Sequence, residues 1–275
     1  MLGSIIGDIA GSTYEFNNIK TKDFPFFAPG SVYTDDSILT IATADWILHG
    51  GQPAKYYSDY ASEYPNPEGG YGTSFKSWVI RSQRLGDTRP YNSCGNGSAM
   101  RVGPVGWAFD TIEEVMREAR TSAACTHNHP EGIKGAQATA VCILLARQGA
   151  TKDAIKQKIE EVFGYDLSLT IDEVRPRYSW TGLDGIIDGA TCQGSVPQAI
   201  RAFLDGKDFE DSIRNAVSIG GDSDTIACIT GSIAEAFFGI PQELRVQAMN
   251  LLRPRFKDTV RLFEEKYGCG SVLAL

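Results

Sequence analysis

Histidine is scarce in this 275-residue sequence, with three in all, and its six cysteines include no C-x-x-C pair. Cys94, Cys125, Cys142, Cys192, Cys228 and Cys269 are scattered, which excludes the spacing of a structural zinc site and that of a disulfide framework. Reduced thiols in a cytoplasmic protein are the expectation. The sequence also lacks any run of about 18 uninterrupted apolar residues, and its first segment, MLGSIIGDIAGS, has no basic n-region. No membrane partner is expected. An excess of positive charge is missing too: 26 Lys and Arg face 34 Asp and Glu, for a net charge of -8. Sequence-independent binding to nucleic acid draws its affinity from cations on phosphates, so this balance argues against it. A substrate carrying phosphates would need a local offset, and a bound divalent cation would supply one.

Strand-like alternation is equally sparse, and neither tandem repeats nor low-complexity tracts occur. What is present is helical spacing: 42% of the chain is hydrophobic, and Ile38, Ile41, Ala42, Ala44, Trp46 and Ile47 form one run, Ala136, Ala140, Ile143, Leu144 and Leu145 another. Further runs are predicted over 111–124, 151–163, 196–204, 222–238 and 257–267. Glycines punctuate their ends, and Thr151 and Asp208 stand as N-caps. With no linker to divide it, the chain reads as a single all-α domain over residues 1–275, a multi-helix bundle. Residues 17–32 and 64–72 read as long loops, which in a compact domain tend to border functional sites. Gly3, Gly7 and Gly11 predict a helix packed closely on a neighbour.

Two segments place acids and hydroxyls at the mouth of an apolar helix: Thr34-Asp35-Asp36-Ser37, and Gly221-Asp222-Ser223-Asp224-Thr225 after Gly220. Helix capping explains one acid at such a position. Two adjacent acids, or two at i and i+2, stack like charges unless a cation is present. If the two mouths converge, their carboxylates and hydroxyls would hold Mg²⁺, Mn²⁺ or Ca²⁺ in preference to zinc. Asp8 could cap or pair within the bundle. Glu15, where helical pattern yields to the first long loop, suits a general acid or base, or a ligand that moves with the loop.

Two more segments could receive a substrate. Ser93, Gly95, Asn96, Gly97, Ser98, Met100 and Arg101 lie in a glycine turn that ends in a cation, the parts of an anion-binding nest. His127 and His129 form an H-x-H pair, but His49 sits on an exposed helix end, so hydrogen bonding to substrate fits His127 better than zinc binding.

These pieces, in this order, resemble the ADP-ribosylglycohydrolase family, the group that includes the dinitrogenase reductase-activating glycohydrolases. The likeness rests on Gly7-Asp8 with Gly11 and Glu15, Thr34 to Ser37, Asn96 to Arg101, Thr126-His127 and Gly221 to Thr225. It implies an all-α orthogonal bundle with a cleft holding two divalent cations, Mg²⁺ or Mn²⁺. By that resemblance Thr34, Asp35, Asp36, Asp222, Asp224 and Thr225 are metal ligands, and Glu15 and Asp36 are catalytic. Tyr71, Gly72, Ser93, Gly95, Asn96, Gly97, Ser98, Met100, Arg101 and His127 would line the substrate path. The implied reaction is metal-dependent hydrolysis of the glycosidic bond between ADP-ribose and a modified acceptor, with an ADP-ribosylated protein or other target as partner and ADP-ribose as product. Ser37 replaces a frequent threonine and keeps the hydroxyl. Lys76 stands where arginine-specific members would carry an aspartate, which leaves the acceptor open.

Two rival readings differ in class. A non-catalytic ADP-ribose reader would have lost ligands, and all six are present. A phosphohydrolase of the haloacid dehalogenase type would share Asp222-x-Asp224-Thr225, but needs an apolar strand where Ser218-Ile219-Gly220-Gly221 stands.

Overall fold

The computed structural model describes residues 1–268, so Cys269 lies outside it. The helices run α1 (Leu2–Ser12), α2 (Asp35–His49), α3 (Pro53–Glu63), α4 (Thr73–Leu85), α5 (Gly97–Met100), α6 (Gly103–Ala108), α7 (Ile112–Ala124), α8 (Pro130–Arg147), α9 (Lys152–Phe163), α10 (Ile171–Val174), α11 (Cys192–Asp205), α12 (Phe209–Ser218), α13 (Ser223–Phe238), α14 (Gln242–Leu251) and α15 (Pro254–Tyr267). One hairpin of two-residue strands, β1 (Tyr178–Ser179) and β2 (Gly182–Leu183), pairs antiparallel with Tyr178 opposite Leu183. The fold is all-α, as the spacing of apolar residues predicts. No helix among the described residues is long and apolar enough to cross a membrane.

Local chemistry fixes the ends. Thr151 Oγ1 accepts from Ala154 N at 3.2 Å and Asp208 Oδ1 from Asp211 N at 2.8 Å, so both expected caps are made. Residues 17–32 and 64–72 form the expected irregular segments. The run expected from Val196 starts earlier, at Cys192, where the Thr191 hydroxyl accepts from Gly194 N. Pro197 lies inside that helix. A proline there withholds one helical N–H, which masks the preceding turn in the sequence.

Helices α1 and α13 make the most extensive pairing among the described elements. Glycine allows it: a Cβ on Gly7 would lie 2.0 Å from the Ala227 carbonyl oxygen, and one on Gly11 would lie 2.5 Å from Asp224 Cα. The crossing sets the end of α1, and Glu15 just beyond it, against the start of α13. Helix α2 packs on both. Residues 36–44 of α2 and 223–235 of α13 are buried without interruption, so neither has a solvent face and both belong to the core. Each fully buried Ile or Leu on them contributes roughly 1.5–3 kcal/mol. The first turns of these two core helices open into one cleft.

Candidate functional site

The cleft has a volume of about 390 Å³, within the roughly 300–1,000 Å³ usual for small-molecule sites. Glu15, Asp35, Asp36, Asp222, Asp224 and Thr225 line one end, and Gly72, Ser93, Gly95, Asn96, Gly97, Met100 and His127 line the rest. No lysine lines it among the described residues. A larger cavity of about 490 Å³ borders Tyr165, Leu183, Ile187 and Pro197, and none of the site residues expected from the sequence lies there.

Capping does not account for the acids. At α2 the cap is Thr34, whose hydroxyl accepts from Asp36 N at 3.2 Å. Asp8, on α1, supplements it: its carboxylate accepts from Thr34 N at 2.9 Å, from Thr34 Oγ1 at 2.8 Å, from Ser37 N at 3.1 Å and from the Ser37 hydroxyl. Asp35 and Asp36 are thereby left without a capping task. At α13, Asp222 occupies the cap position but its side chain accepts no backbone N–H there. Instead Asp222 Oδ2 accepts from Asn96 Nδ2 at 2.7 Å across the cleft.

The electrostatics are those of an acidic cluster that could hold a cation. Oxygens of Glu15, Asp222 and Asp224 lie within 4.8 Å of one another. Asp36 Oδ1 and Asp224 Oδ1 are buried and accept nothing from the protein. Burial pushes the Glu15 carboxyl up to about 7, reinforced by Asp222, Asp8 and Glu68. Asp35, Asp36 and Asp224 are raised well above the usual carboxylate range, first by burial and then by their acidic neighbours. Asp222 is raised by burial, offset in part by hydrogen bonds from Asn96, Asp224 and Thr225. Orphaned oxygens and crowded like charges are relieved by a hard cation, so the donor set fits an oxygen-binding divalent metal ion. The tightest group contains Glu15, which the sequence reading set apart from the six ligand positions.

The loops around the acids are fastened from outside the motifs. Residue Gly69 (φ +72) brings the second long loop so close that a Cβ would meet Glu15 Oε2 at 2.8 Å, and Glu68 bridges to Thr34. Trp180, from the hairpin turn, donates Nε1 to the Glu15 carbonyl at 3.2 Å and stacks on Phe16 at 6.1 Å. Trp180, Tyr91 and Phe75 also line the cleft. Sequence reasoning passed over them; a lone tryptophan between two helical runs was the one available signal.

Three expected substrate residues are occupied elsewhere. The Tyr71 ring is buried against Phe75, with its hydroxyl donating to the Tyr64 carbonyl at 3.0 Å. Ser98 donates to the Gly132 carbonyl at 2.7 Å. Arg101 borders the cleft yet exposes no surface, its guanidinium 3.9 Å from the Tyr57 ring centroid. The glycine turn is a partial nest, because Gly95 N already donates to Ser93 Oγ and Asn96 N to the Ala190 carbonyl. His127 is buried, and burial with the Arg101 charge holds its imidazole well below the usual histidine range, so it is neutral. His49 sits on an exposed helix end beside Asp45, away from the cleft.

The family model for the ADP-ribosylglycohydrolases matches residues 1–271. The chain belongs to that family. Among its relatives, human ADP-ribosylhydrolase ARH3 is 28% identical, with 88% of this chain and 85% of ARH3 covered. ADP-ribosylarginine hydrolase Tri1 of Pseudomonas putida is 23% identical over 87% of this chain and 70% of its own. A solved structure titled ADP-ribosylglycohydrolase-related protein complex superposes with a TM-score of 0.70 at 24% identity, covering 98% of this chain and 97% of that one, and so shares the family fold. Family membership fits the acidic cleft, which gathers residues from the first fifteen positions, the start of α2 and the start of α13.

Proposed function

We propose that this chain is an ADP-ribosyl hydrolase that uses two divalent cations, Mg²⁺ or Mn²⁺, to release ADP-ribose from a modified protein or other target. One observation carries the reading: Glu15, Asp222 and Asp224 crowd their oxygens within 4.8 Å at one end of a cleft whose other walls include glycines, Asn96, a neutral histidine and the rings of Phe75, Tyr91 and Trp180. Thr34, Asp35, Asp36, Asp222, Asp224 and Thr225 would hold the metals, with Glu15 at their edge. When bound, such cations supply positive charge that orients ribose hydroxyls and offsets the diphosphate.

The chain's own groups do the rest. Asn96, tethered to Asp222, and the walls at Gly95 and Gly97 let the backbone approach a phosphate or ribose closely. His127, being neutral, can offer a hydrogen bond without adding charge. Glu15, at the acidic end of the cleft, can hold or release a proton at its carboxylate as the bond at the ribose anomeric carbon breaks, the work of a general acid or base. Holding sugar and acid in one geometry contributes through orientation. Paired carboxylates alone serve ordinary glycosidases, so a metal requirement distinguishes this site. We further propose a single domain acting in the cytoplasm, in keeping with free thiols at the five described cysteines.

The test is release of free ADP-ribose from arginine-, serine- and nucleobase-linked substrates with Mg²⁺ or Mn²⁺, with and without chelator. Release abolished by chelator on at least one substrate is expected. Tight binding of ADP-ribose with no turnover on any of them would favour a reader instead.

A further inference from the structure

Arg101 is fully buried, and no carboxylate pairs with it among the described residues. Its Nη2 donates to the Ser122 carbonyl and to Thr126 Oγ1, each at 2.8 Å. Its Nε and Nη1 have no hydrogen-bond partner. The Tyr57 ring beneath the guanidinium, 3.9 Å away, compensates the charge in part. An arginine so enclosed cannot reach a substrate. It does reach the next group in a chain of hydrogen bonds, since Thr126 Oγ1 lies 2.7 Å from His127 Nδ1.

Of the two proton arrangements open to that chain, only one spends the buried hydroxyl proton of Thr126 on a strong acceptor. Arginine only donates. The Thr126 oxygen therefore accepts from Arg101, and its own proton finds an oxygen or nitrogen acceptor at hydrogen-bond distance, among the described residues, at His127 Nδ1, whereas a protonated Nδ1 would leave that buried donor without one. A ring nitrogen that accepts has no proton, so a neutral imidazole keeps its single proton on Nε2. That nitrogen lies on the cleft side, where a Cβ on Gly97 would be 3.1 Å from it and one on Gly95 3.6 Å. Among the described residues no hydrogen bond holds Nε2.

We propose that Arg101 is a positioning residue that acts through Thr126 to fix His127 as an Nε2–H donor aimed into the cleft, at an anionic oxygen of the bound ligand. The assignment rests on the ADP-ribose reading for its ligand, where the diphosphate supplies that oxygen. It also explains two bare glycines facing the ring: any side chain there would cover the donor.

Thr126→Val keeps the shape of the side chain and removes the relay, whereas Thr126→Ser keeps the hydroxyl. Imidazole ¹⁵N shifts of the full-length protein, assigned by comparison with His127→Gln, read the tautomer directly. The native protein and Thr126→Ser are expected to hold the Nε2-protonated neutral form from pH 6 to 8. Thr126→Val is expected to mix tautomers and to weaken ADP-ribose binding roughly tenfold, the size of one lost hydrogen bond to a charged group. An Nδ1-protonated ring in the native protein overturns the proposal, as does a Thr126→Val variant with unchanged tautomer. Failure of the native protein to bind ADP-ribose at all would sink the functional reading instead, while the spectra still decide the tautomer.

Discussion

Asn18 and Gly221, 203 residues apart, hold each other by two reciprocal hydrogen bonds: Gly221 N donates to Asn18 Oδ1 at 2.7 Å, and Asn18 Nδ2 donates to the Gly221 carbonyl at 2.9 Å. The same Nδ2 reaches the Glu15 carbonyl at 2.9 Å. One side chain thus ties the loop bearing Glu15 to the turn before Asp222. Gly221 sits at φ +70, and a Cβ there would lie 2.6 Å from Tyr178 Cε1, so only glycine completes the turn.

Asn18→Ala should therefore loosen Glu15 relative to Asp222 without unfolding the bundle. Loss of these three bonds costs about 1.5–4.5 kcal/mol, and misplacement at the reacting centre should lower turnover roughly tenfold or more. Steady-state release of ADP-ribose, read beside a thermal melt, checks both. Native turnover in this variant would show that the clamp has no part in catalysis.

Asp35→Ala and Asp224→Ala each remove one oxygen donor from the acidic end of the cleft. Neither acid caps its helix through its side chain, so helical content should survive by circular dichroism. Turnover should fall at least about 100-fold, the scale on which removal of one fixed electrostatic group acts. Unchanged activity in either variant removes that residue from the site.

Glu15→Gln separates function from stability. Its carboxyl is crowded by Asp222, Asp8 and Glu68, so replacing it with a neutral isostere relieves repulsion in the metal-free protein. The variant should melt higher than the native chain at pH 7.5 in chelator while losing most of its turnover, a trade common at active sites. A lower melting temperature would mean that the native carboxylate is stabilising and the cluster is not strained.

How far the sequence spoke for the site depends on which interactions are local. Helix-forming periodicity, the caps Thr151 and Asp208, and the acid pairs at 35–36 and 222–224 are written in neighbouring residues, and each is found where its pattern places it. The capping ambiguity at Asp35 and Asp36 was beyond reach, because it is resolved by Asp8 from another helix taking four donors at the start of α2. Trp180 reaches the Glu15 segment across 165 residues and Asn18 ties that segment to Gly221 across 203, both between loops without period. Arg101 misled for the opposite reason: a cation after a glycine turn suggests an anion contact, but the Tyr57 ring and the Ser122 carbonyl that enclose it come from distant helices.

The acid crowding also fixes the sign of a pH effect. Burial and neighbouring acids raise Glu15 to about 7 and burial raises Asp8 to about 6, whereas unfolded carboxyls titrate near 4. Between those limits the native state binds more protons than the unfolded chain, so its stability falls as pH rises through roughly 4 to 7. In chelator, the melting temperature should decline across this interval on account of these groups. A divalent cation binds the ionised cluster and draws those values down, so its stabilisation should be larger at pH 7.5 than at pH 5. At a hundredfold excess over its dissociation constant, the cation adds about 2.7 kcal/mol, or roughly 5–11 °C for a chain of this size. Melts at the two pH values, each with Mg²⁺, Mn²⁺ or chelator, measure the difference. A metal effect of equal size at both would mean that binding is not linked to these carboxyls, and no effect at either would remove the cations from the site.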